Sequence, residues 1–473
     1  MGEQAPGTEA LNLAAEFPPV STEAWEAAIA KDLKGADYAK KLIWKLDDGI
    51  GVRPYYRRED LAGLEAQTGV APGEFPFARG GAAAWEISET APEGGIRADR
   101  LHEAGATAVQ ELGYAIAEGV ETLAGAANAE EAARELAFVF AIGPLYLVEI
   151  AKLRAARMLW AQAVAAFGVA NPDACRMKIH ARTSRRDKSV FDRCSNLLRA
   201  TTQALSAAVA GCDTVYVEPF GFSQHLAVNV QRVLREEAHI DVVEDPAGGA
   251  YAIEALTDAL AREGWALFQK VEAEGGYAKA LESGSIAKAL EASCAAKRKA
   301  AASRRTTLVG ANNYPDLKEK TSAVEPPAGD GPFPAFRLAE PFEKIRLRTE
   351  RHAQKTGRYP KVQLLKRGDL KMRGARANFS LNFLGCAGFD IADGDTLDAG
   401  ADVVVLCSSD AEYVALANEI CPATKAPVIV AGNPKEQIEA LKAAGVAGFI
   451  HIASDAVATL ADLQNRLGME PLA

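Results

Sequence analysis

The chain has 473 residues, 49% of them hydrophobic and 25% charged, with 53 basic against 63 acidic side chains and a net charge of −10. That length exceeds one ordinary core and sets an expectation of two or three domains of a soluble globular protein. The acidic balance, with no dense Lys/Arg block, argues against a nucleic-acid partner, and no uninterrupted apolar stretch approaches the roughly 20 residues of a membrane helix.

Met1–Glu16 is acidic and Ala-rich, lacks the basic and apolar regions of a secretion signal, and reads as a loose arm. Seven cysteines, Cys175, Cys194, Cys212, Cys294, Cys386, Cys407 and Cys421, are scattered without metal-type spacing, which points to reduced thiols in a cytoplasm. Residues 21–35 predict an amphipathic helix, capped by Ser21 or Thr22, with Trp25, Ile29 and Leu33 at helical spacing. Leu42–Leu46 and Val52–Tyr56 read as short strands about the turn Asp47-Asp48-Gly49.

From His102 to about Leu308, helical segments alternate with short apolar runs. Glu103–Leu123 and Leu145–Phe167 are the strongest helices; Met177–His180 and Thr214–Val217 read as strands followed by helices over 190–210 and 223–238. Such alternation predicts parallel βα units. Residues 323–343, with Pro326, Pro327, Gly329, Gly331, Pro332 and Pro334, read as a linker, and Lys344–Lys355 as a basic helix. Beyond it, strands at 361–367, 402–407, 427–431 and 447–451 alternate with helices, the pattern of a flavodoxin-like doubly wound sheet. Its ligand crevice lies at the carboxyl ends of the strands, where Asp369–Gly374, Ser408-Ser409 and Gly432-Asn433 fall.

The stretch Gly368-Asp369-Leu370-Lys371-Met372-Arg373-Gly374 sits between a strand and a helical run, Ala375–Leu384, and so is placed on a loop. It resembles the Asp-x-His-x-x-Gly loop of cobalamin-binding domains, where the His ligates cobalt and the Asp holds the other ring nitrogen. Asp369 and Gly374 match. The ligand position holds Lys371, whose protonated ammonium has no lone pair to give a metal.

Further blocks follow one order along the chain: Phe17-Pro-Pro-Val-Ser-Thr-Glu-Ala-Trp25, the stretch Trp44–Asp60, Pro72-Gly73-Glu74-Phe75-Pro76-Phe77-Ala78-Arg79-Gly80, Glu103-Ala-Gly-Ala-Thr-Ala-Val-Gln-Glu-Leu112, Glu149–Trp160, Ile179-His-Ala-Arg-Thr-Ser184 and Asp245-Pro-Ala-Gly-Gly-Ala-Tyr251. Together they resemble the methylmalonyl-CoA mutase family, more specifically its small, non-cobalamin (beta) subunit. The resemblance implies an acyl-CoA mutase (βα)8 barrel of TIM type, a cobalamin-binding-type domain after it, and an N-terminal extension that wraps a neighbouring subunit. Family members carry several barrel strands between the turn at Trp85 and the Glu103 block, where only Ala91–Arg100 stands here. A partial barrel with unpaired edges follows, which is an aggregation hazard unless covered. The expected domains are 1–90, an extension; 91–322, the partial barrel; 323–355, a linker; and 356–473, a degenerate cobalamin-binding-like domain.

The same resemblance sets expectations for single residues. Thr90 stands where active mutases carry a Tyr over the corrin, Ser88 and Glu89 replace an Arg and a Gln, and Arg100 replaces an active-site His. His102 reads as a surface histidine at a helix start, with a displaced acid as the alternative. His180 matches a position that faces the thioester, the weak catalytic candidate. Arg182, Arg185, Arg186 and Lys188 read either as a cradle for CoA phosphates or as a solvated or partner-facing loop. Asn229, Gln231 and Glu237 read as scaffold remnants. Asp369, Lys371, Gly374, Ser408, Ser409 and Gly432 form a vestigial cofactor crevice, with Ser408 and Ser409 open to a plain capping role. No metal ligand set is expected.

The functional expectation is a structural component of a cobalamin-dependent methylmalonyl-CoA mutase, an isomerase, with adenosylcobalamin held by a catalytic partner subunit. Two alternatives stand beside it: an active isomerase half-site completed by a second chain, and a CoA-binding module.

Overall fold

A computed structural model of the chain describes residues 16–80, 84–319 and 332–471. Residues 1–15 of the expected N-terminal arm and the linker residues Pro326, Pro327, Gly329 and Gly331 lie outside the described residues. The chain divides after Tyr56 into two units.

In the first unit, helix α1 (Thr22–Asp32) starts where Ser21 Oγ accepts from the Ala24 N–H at 3.2 Å. Strands β1 (Trp44–Lys45) and β2 (Gly51–Val52) pair antiparallel about a turn in which Gly49 takes φ +83°. Helix α1 buries none of its residues, and Leu46 alone is buried among the described residues of this unit. Trp25 stacks on Tyr55 at 4.8 Å yet stays 43% exposed, with Phe17 74% and Trp44 51% exposed.

The second unit contains two all-parallel, five-stranded sheets with helices, a mixed α/β architecture. The first sheet holds β3 (Glu86–Ser88), β4 (Ile96–Arg97), β5 (Ala137–Ile142), β6 (Lys178–Thr183) and β7 (Thr214–Tyr216) in the order β3-β7-β6-β5-β4. Strand β5, Ala-Phe-Val-Phe-Ala-Ile, is the continuous apolar run of a strand covered on both faces. The sheet is open, and its edges β3 and β4 are three and two residues long. Such brevity itself limits edge-to-edge association.

Between these strands run α2 (Ala98–Glu103), α3 (Ala108–Gly125), α4 (Tyr146–Ala166) and α5 (Arg193–Val209), and after β7 come α6 (Gln224–Arg232) and α7 (Tyr251–Ala273). Helix α3 opens with a reciprocal cap between Thr107 and Gln110. Trp160 of α4, fully buried, meets the ring of Phe138 edge-on at 4.8 Å. Gly119 of α3 permits this: a Cβ there would lie 2.7 Å from Trp160 Cζ3 and 3.0 Å from Phe138 Cζ.

The second sheet holds β8 (Lys361–Lys366), β9 (Asp390–Gly394), β10 (Val403–Cys407), β11 (Val428–Ala431) and β12 (Val446–Ile450) in the order β9-β8-β10-β11-β12. That 2-1-3-4-5 order is the doubly wound one anticipated from the strand pattern, with its switch point between β8 and β10. Strand β9 is additional to the four expected. Helix α8 (Glu340–Thr356) covers the expected basic helix Lys344–Lys355, starts four residues earlier, and packs against elements of both sheets. Its Arg346 stacks over Phe191 at 4.5 Å on one side. On the other, Arg348 Nε donates to the Glu470 carbonyl at 3.0 Å and Thr349 Oγ1 accepts from Gln464 Nε2 at 2.9 Å. Among the described residues no helix is long and apolar enough to cross a membrane. All seven cysteines are unpaired.

Candidate functional site

Parallel sheets present their chemistry at the carboxyl ends of the strands. On β6, His180 is the third of six residues, in mid-strand, and its Nδ1 lies 2.5 Å from Thr214 Oγ1 on β7. Burial lowers its pKa below the ordinary 6.5, so the ring is neutral. Arg182 is buried and donates to Asp99 Oδ2 at 3.2 Å and to Glu218 Oε2 at 2.7 Å. Arg185 takes the other Glu218 oxygen at 2.9 Å, and its N–H donates to Glu103 Oε1 at 2.9 Å. The Arg186 guanidinium donates to the carbonyls of His102 and Ala106, at 2.8 and 3.0 Å. Lys188 is buried against Gln203, its pKa lowered by burial. The expected basic cluster is thus brought together, but around acids and carbonyls of the chain. No motif marks Asp99 or Glu218. The available signal was alternation, since Glu218 continues the face that carries Thr214 and Tyr216.

His102 is not the surface histidine expected. It is fully buried at the end of α2, with Nδ1 2.6 Å from Glu111 Oε1 and Nε2 3.0 Å from Ser184 Oγ. Glu111 binds Lys152 Nζ at 2.7 Å, and Lys152 binds Glu149 at 2.6 Å and the Ala141 carbonyl at 2.9 Å. Burial, with Arg186 and Lys152 nearby, pushes His102 well below 6.5, and burial raises Glu111. Burial opposes the charge on Lys152, yet Glu111 and Glu149 outweigh it and raise the ammonium's pKa. A hydroxyl, an imidazole and a carboxylate in line have the form of a nucleophile relay. Here Ser184, His102, Glu111 and Lys152 are all buried, so the chain of bonds ties the ends of β5 and β6 to α2, α3 and α4.

A second buried cluster joins three of the quoted motifs. Arg154 pairs with Asp245, and with Glu254 Oε1 at 2.6 Å; Arg79 Nε reaches Asp245 Oδ2 at 3.0 Å; Gln67 Nε2 donates to Glu254 Oε2 at 2.8 Å. Removing one partner from such a buried pair costs about 3–5 kcal/mol. These motif residues hold the fold. Thr90 and Glu89 are exposed on the loop after β3, where Ser88 Oγ donates to the Thr90 carbonyl at 2.7 Å, and Arg100 is half-buried on α2. Gln231, buried, accepts from Trp85 Nε1 at 3.2 Å; Asn229 contacts His225 at 3.0 Å; Glu237 is exposed.

At the carboxyl ends of the second sheet, helix α9 (Leu370–Gly385) begins five residues before the expected run. Lys371 and Gly374 therefore lie on its first turns and not on a loop. Asp369 is the N-cap, its Oδ1 accepting from the Met372 N–H at 2.7 Å. Lys371 is exposed. Glu412 Oε2 accepts from Ser408 Oγ at 2.5 Å, Ser409 Oγ at 2.6 Å, the Ser409 N–H at 3.2 Å and the Asp369 N–H at 3.3 Å. Those bonds, the serine hydroxyls foremost, hold its carboxyl down at about 2. Ser409 thus takes the plain capping role, as N-cap of the turn Asp410–Glu412 with Glu412 bonded back to its N–H, and Ser408 serves the same carboxylate. Gly432 follows β11 beside Tyr413 of α10 (Tyr413–Ile420). An open crevice of about 490 Å³ remains outside these groups, lined by Met372, Arg376, Phe379, Asp410, Asn433 and Ile452 among others. Among the described residues no group of three or more His, Cys, Asp or Glu side chains is placed to hold a metal ion.

Comparison with known proteins adds a lineage. Residues 94–356 match the family described as methylmalonyl-CoA mutase. The methylmalonyl-CoA mutase small subunit of Porphyromonas gingivalis is 32% identical, over 98% of this chain and 99% of that protein. That of Streptomyces virginiae is 35% identical, over 87% and 70%. The Escherichia coli methylmalonyl-CoA mutase is 32% identical over 48% of this chain and 33% of its own length. The Porphyromonas alignment runs over 624 positions, so at least 151 of them face no residue in a chain of 473.

Proposed function

The chain belongs to the methylmalonyl-CoA mutase family, and on that premise we propose that it is the structural, small-subunit-like partner in a cobalamin-dependent mutase complex. The complex interconverts methylmalonyl-CoA and succinyl-CoA, with the chemistry in a partner subunit that carries an intact Asp-x-His-x-x-Gly loop. The observation that carries this reading is the internal use of the groups at the carboxyl ends of both sheets. Arg182 and Arg185 are paired with Glu218 and Asp99, and Asp369 is committed to capping α9.

The first sheet is read as the remnant of a (βα)8 barrel, within the proposed domain 91–322. Pairing of its first strand, β3, with its last, β7, supports this, because closing a barrel brings first and last strands together. The unmatched alignment positions support a loss of strands. Residues 356–473 are proposed as the degenerate cobalamin-binding-like domain, on the strand order and crevice position.

Cobalamin supplies a cobalt–carbon bond that breaks homolytically, and it does not fit this crevice. Lys371 has no lone pair to offer when protonated, and the Asp369 carboxylate that would orient a ligand imidazole is bonded to the Met372 N–H. The first unit supports a partner: an 11-residue helix without a buried face is marginal in water, and its aromatic side chains are open to a neighbour. The half-site alternative is disfavoured by the sheet edges, whose two and three residues offer an incoming strand little to pair with.

Co-expression with a mutase subunit bearing the intact loop tests the proposal. Both chains should co-purify and isomerise methylmalonyl-CoA. Isomerase activity from this chain and adenosylcobalamin alone would overturn it.

A further inference from the structure

We infer that the C-terminal crevice is closed to a corrinoid by two side chains of its own, Glu412 and Tyr413, so that a histidine restored at position 371 is insufficient for cobalamin binding. This rests on the reading that the chain carries no cobalamin, and adds what excludes it.

Glu412 occupies the polar end of the switch point. Four donors from the loops after β8 and β10 converge on its Oε2: the hydroxyls of Ser408 and Ser409 and the N–H groups of Ser409 and Asp369. These are the groups that would otherwise greet the amides or the phosphate of a nucleotide-bearing corrinoid. The carboxylate lies so close over Gly368, φ +71°, that a Cβ at that residue would collide with it. An incoming phosphodiester would meet a fixed negative charge where it needs donors.

Tyr413 occupies the apolar part. Its ring is wholly buried; its hydroxyl donates to the Ala431 carbonyl at 2.6 Å and accepts from the Ser408 N–H at 3.3 Å. It therefore bridges the ends of β11 and β10. Its Cε2 stands 3.3 Å from where a Cβ of Gly432 would be. A ligand tail entering between these two loops would have to displace an aromatic ring bonded at both sides. Position 371, by contrast, is exposed, so a substitution there leaves the packing alone.

The test is equilibrium dialysis of the full chain against hydroxocobalamin, with the absorbance spectrum of any bound fraction. Wild type and Lys371→His should retain no cobalamin. A Lys371→His/Glu412→Ala/Tyr413→Ala variant with a native circular dichroism spectrum should retain cobalamin, with an affinity at least about tenfold above the upper limit set for Lys371→His. Should the triple variant fail to fold, Lys371→His/Glu412→Ala carries the same test with a smaller gain. Binding by Lys371→His alone, or none by the folded multiple variant, overturns the inference. Retention by wild type would instead sink the functional reading beneath it.

Discussion

A fully buried imidazole makes His102 a pH-dependent contributor to stability. Its folded pKa lies well below 6.5 and its unfolded value near it, so below about 6.5 the unfolded chain binds a proton that the folded chain refuses. The contribution is fully present above that pH and is lost as pH falls toward the folded value. Glu103 and Glu111, raised by burial, act in the opposite direction above about 4.5. Comparing wild type with His102→Gln in denaturant titrations from pH 5 to 8 separates the imidazole's part. The stability difference should be constant from pH 7 to 8 and shrink in favour of the variant toward pH 5. A flat difference would mean that the ring is charged or solvated. None of this was legible in the residues: a polar histidine near a helix start looks solvated, and its partner Ser184 stands 82 positions away.

Among the elements, α3 and α4 test how rigid the helical layer is. Gly119→Ala gains about 1 kcal/mol of helix propensity but drives a methyl to 2.7 Å from the buried Trp160 ring. Overpacking of that kind costs roughly 1–3 kcal/mol, and neither Trp160 nor Phe138 has open space to move into. A net loss of up to about 2 kcal/mol in urea unfolding is expected; a variant more stable than wild type would show that α3 slides freely. The long helices were legible because their periodic apolar positions sum over many turns. Strand β5 was not, since six apolar residues in a row fit a buried helix as well as a strand. Strand β9, Asp-Ile-Ala-Asp-Gly at the sheet edge, carries no apolar alternation to find. The early start of α9 follows from its Asp369 cap, a signal that the loop motif masked.

For the whole molecule, the separation after Tyr56 gives a clean cut. Deleting residues 1–56 should leave the unfolding midpoint of the remainder within a few degrees, because about 1 kcal/mol shifts the midpoint by some 2–4 °C at roughly 150–250 residues and by less in a longer chain. Capture of the proposed mutase partner in a pull-down should fall sharply. A truncated chain that still captures its partner in full would assign the exposed aromatic residues another purpose. The family was legible from motifs spread over most of the chain, and the βα alternation from hydrophobic runs. Strand order in the first sheet was not, because pairing β3 with β7 depends on contacts that no local pattern encodes.

That pairing also bears on time. Glu86 sits opposite Thr214, 128 residues later, and among the described residues β3 has no other neighbour in its sheet. At roughly 5–20 residues per second of synthesis, the strand leaves the ribosome several seconds before its partner exists. Its three residues, too few to recruit a wrong neighbour, are what makes that wait harmless.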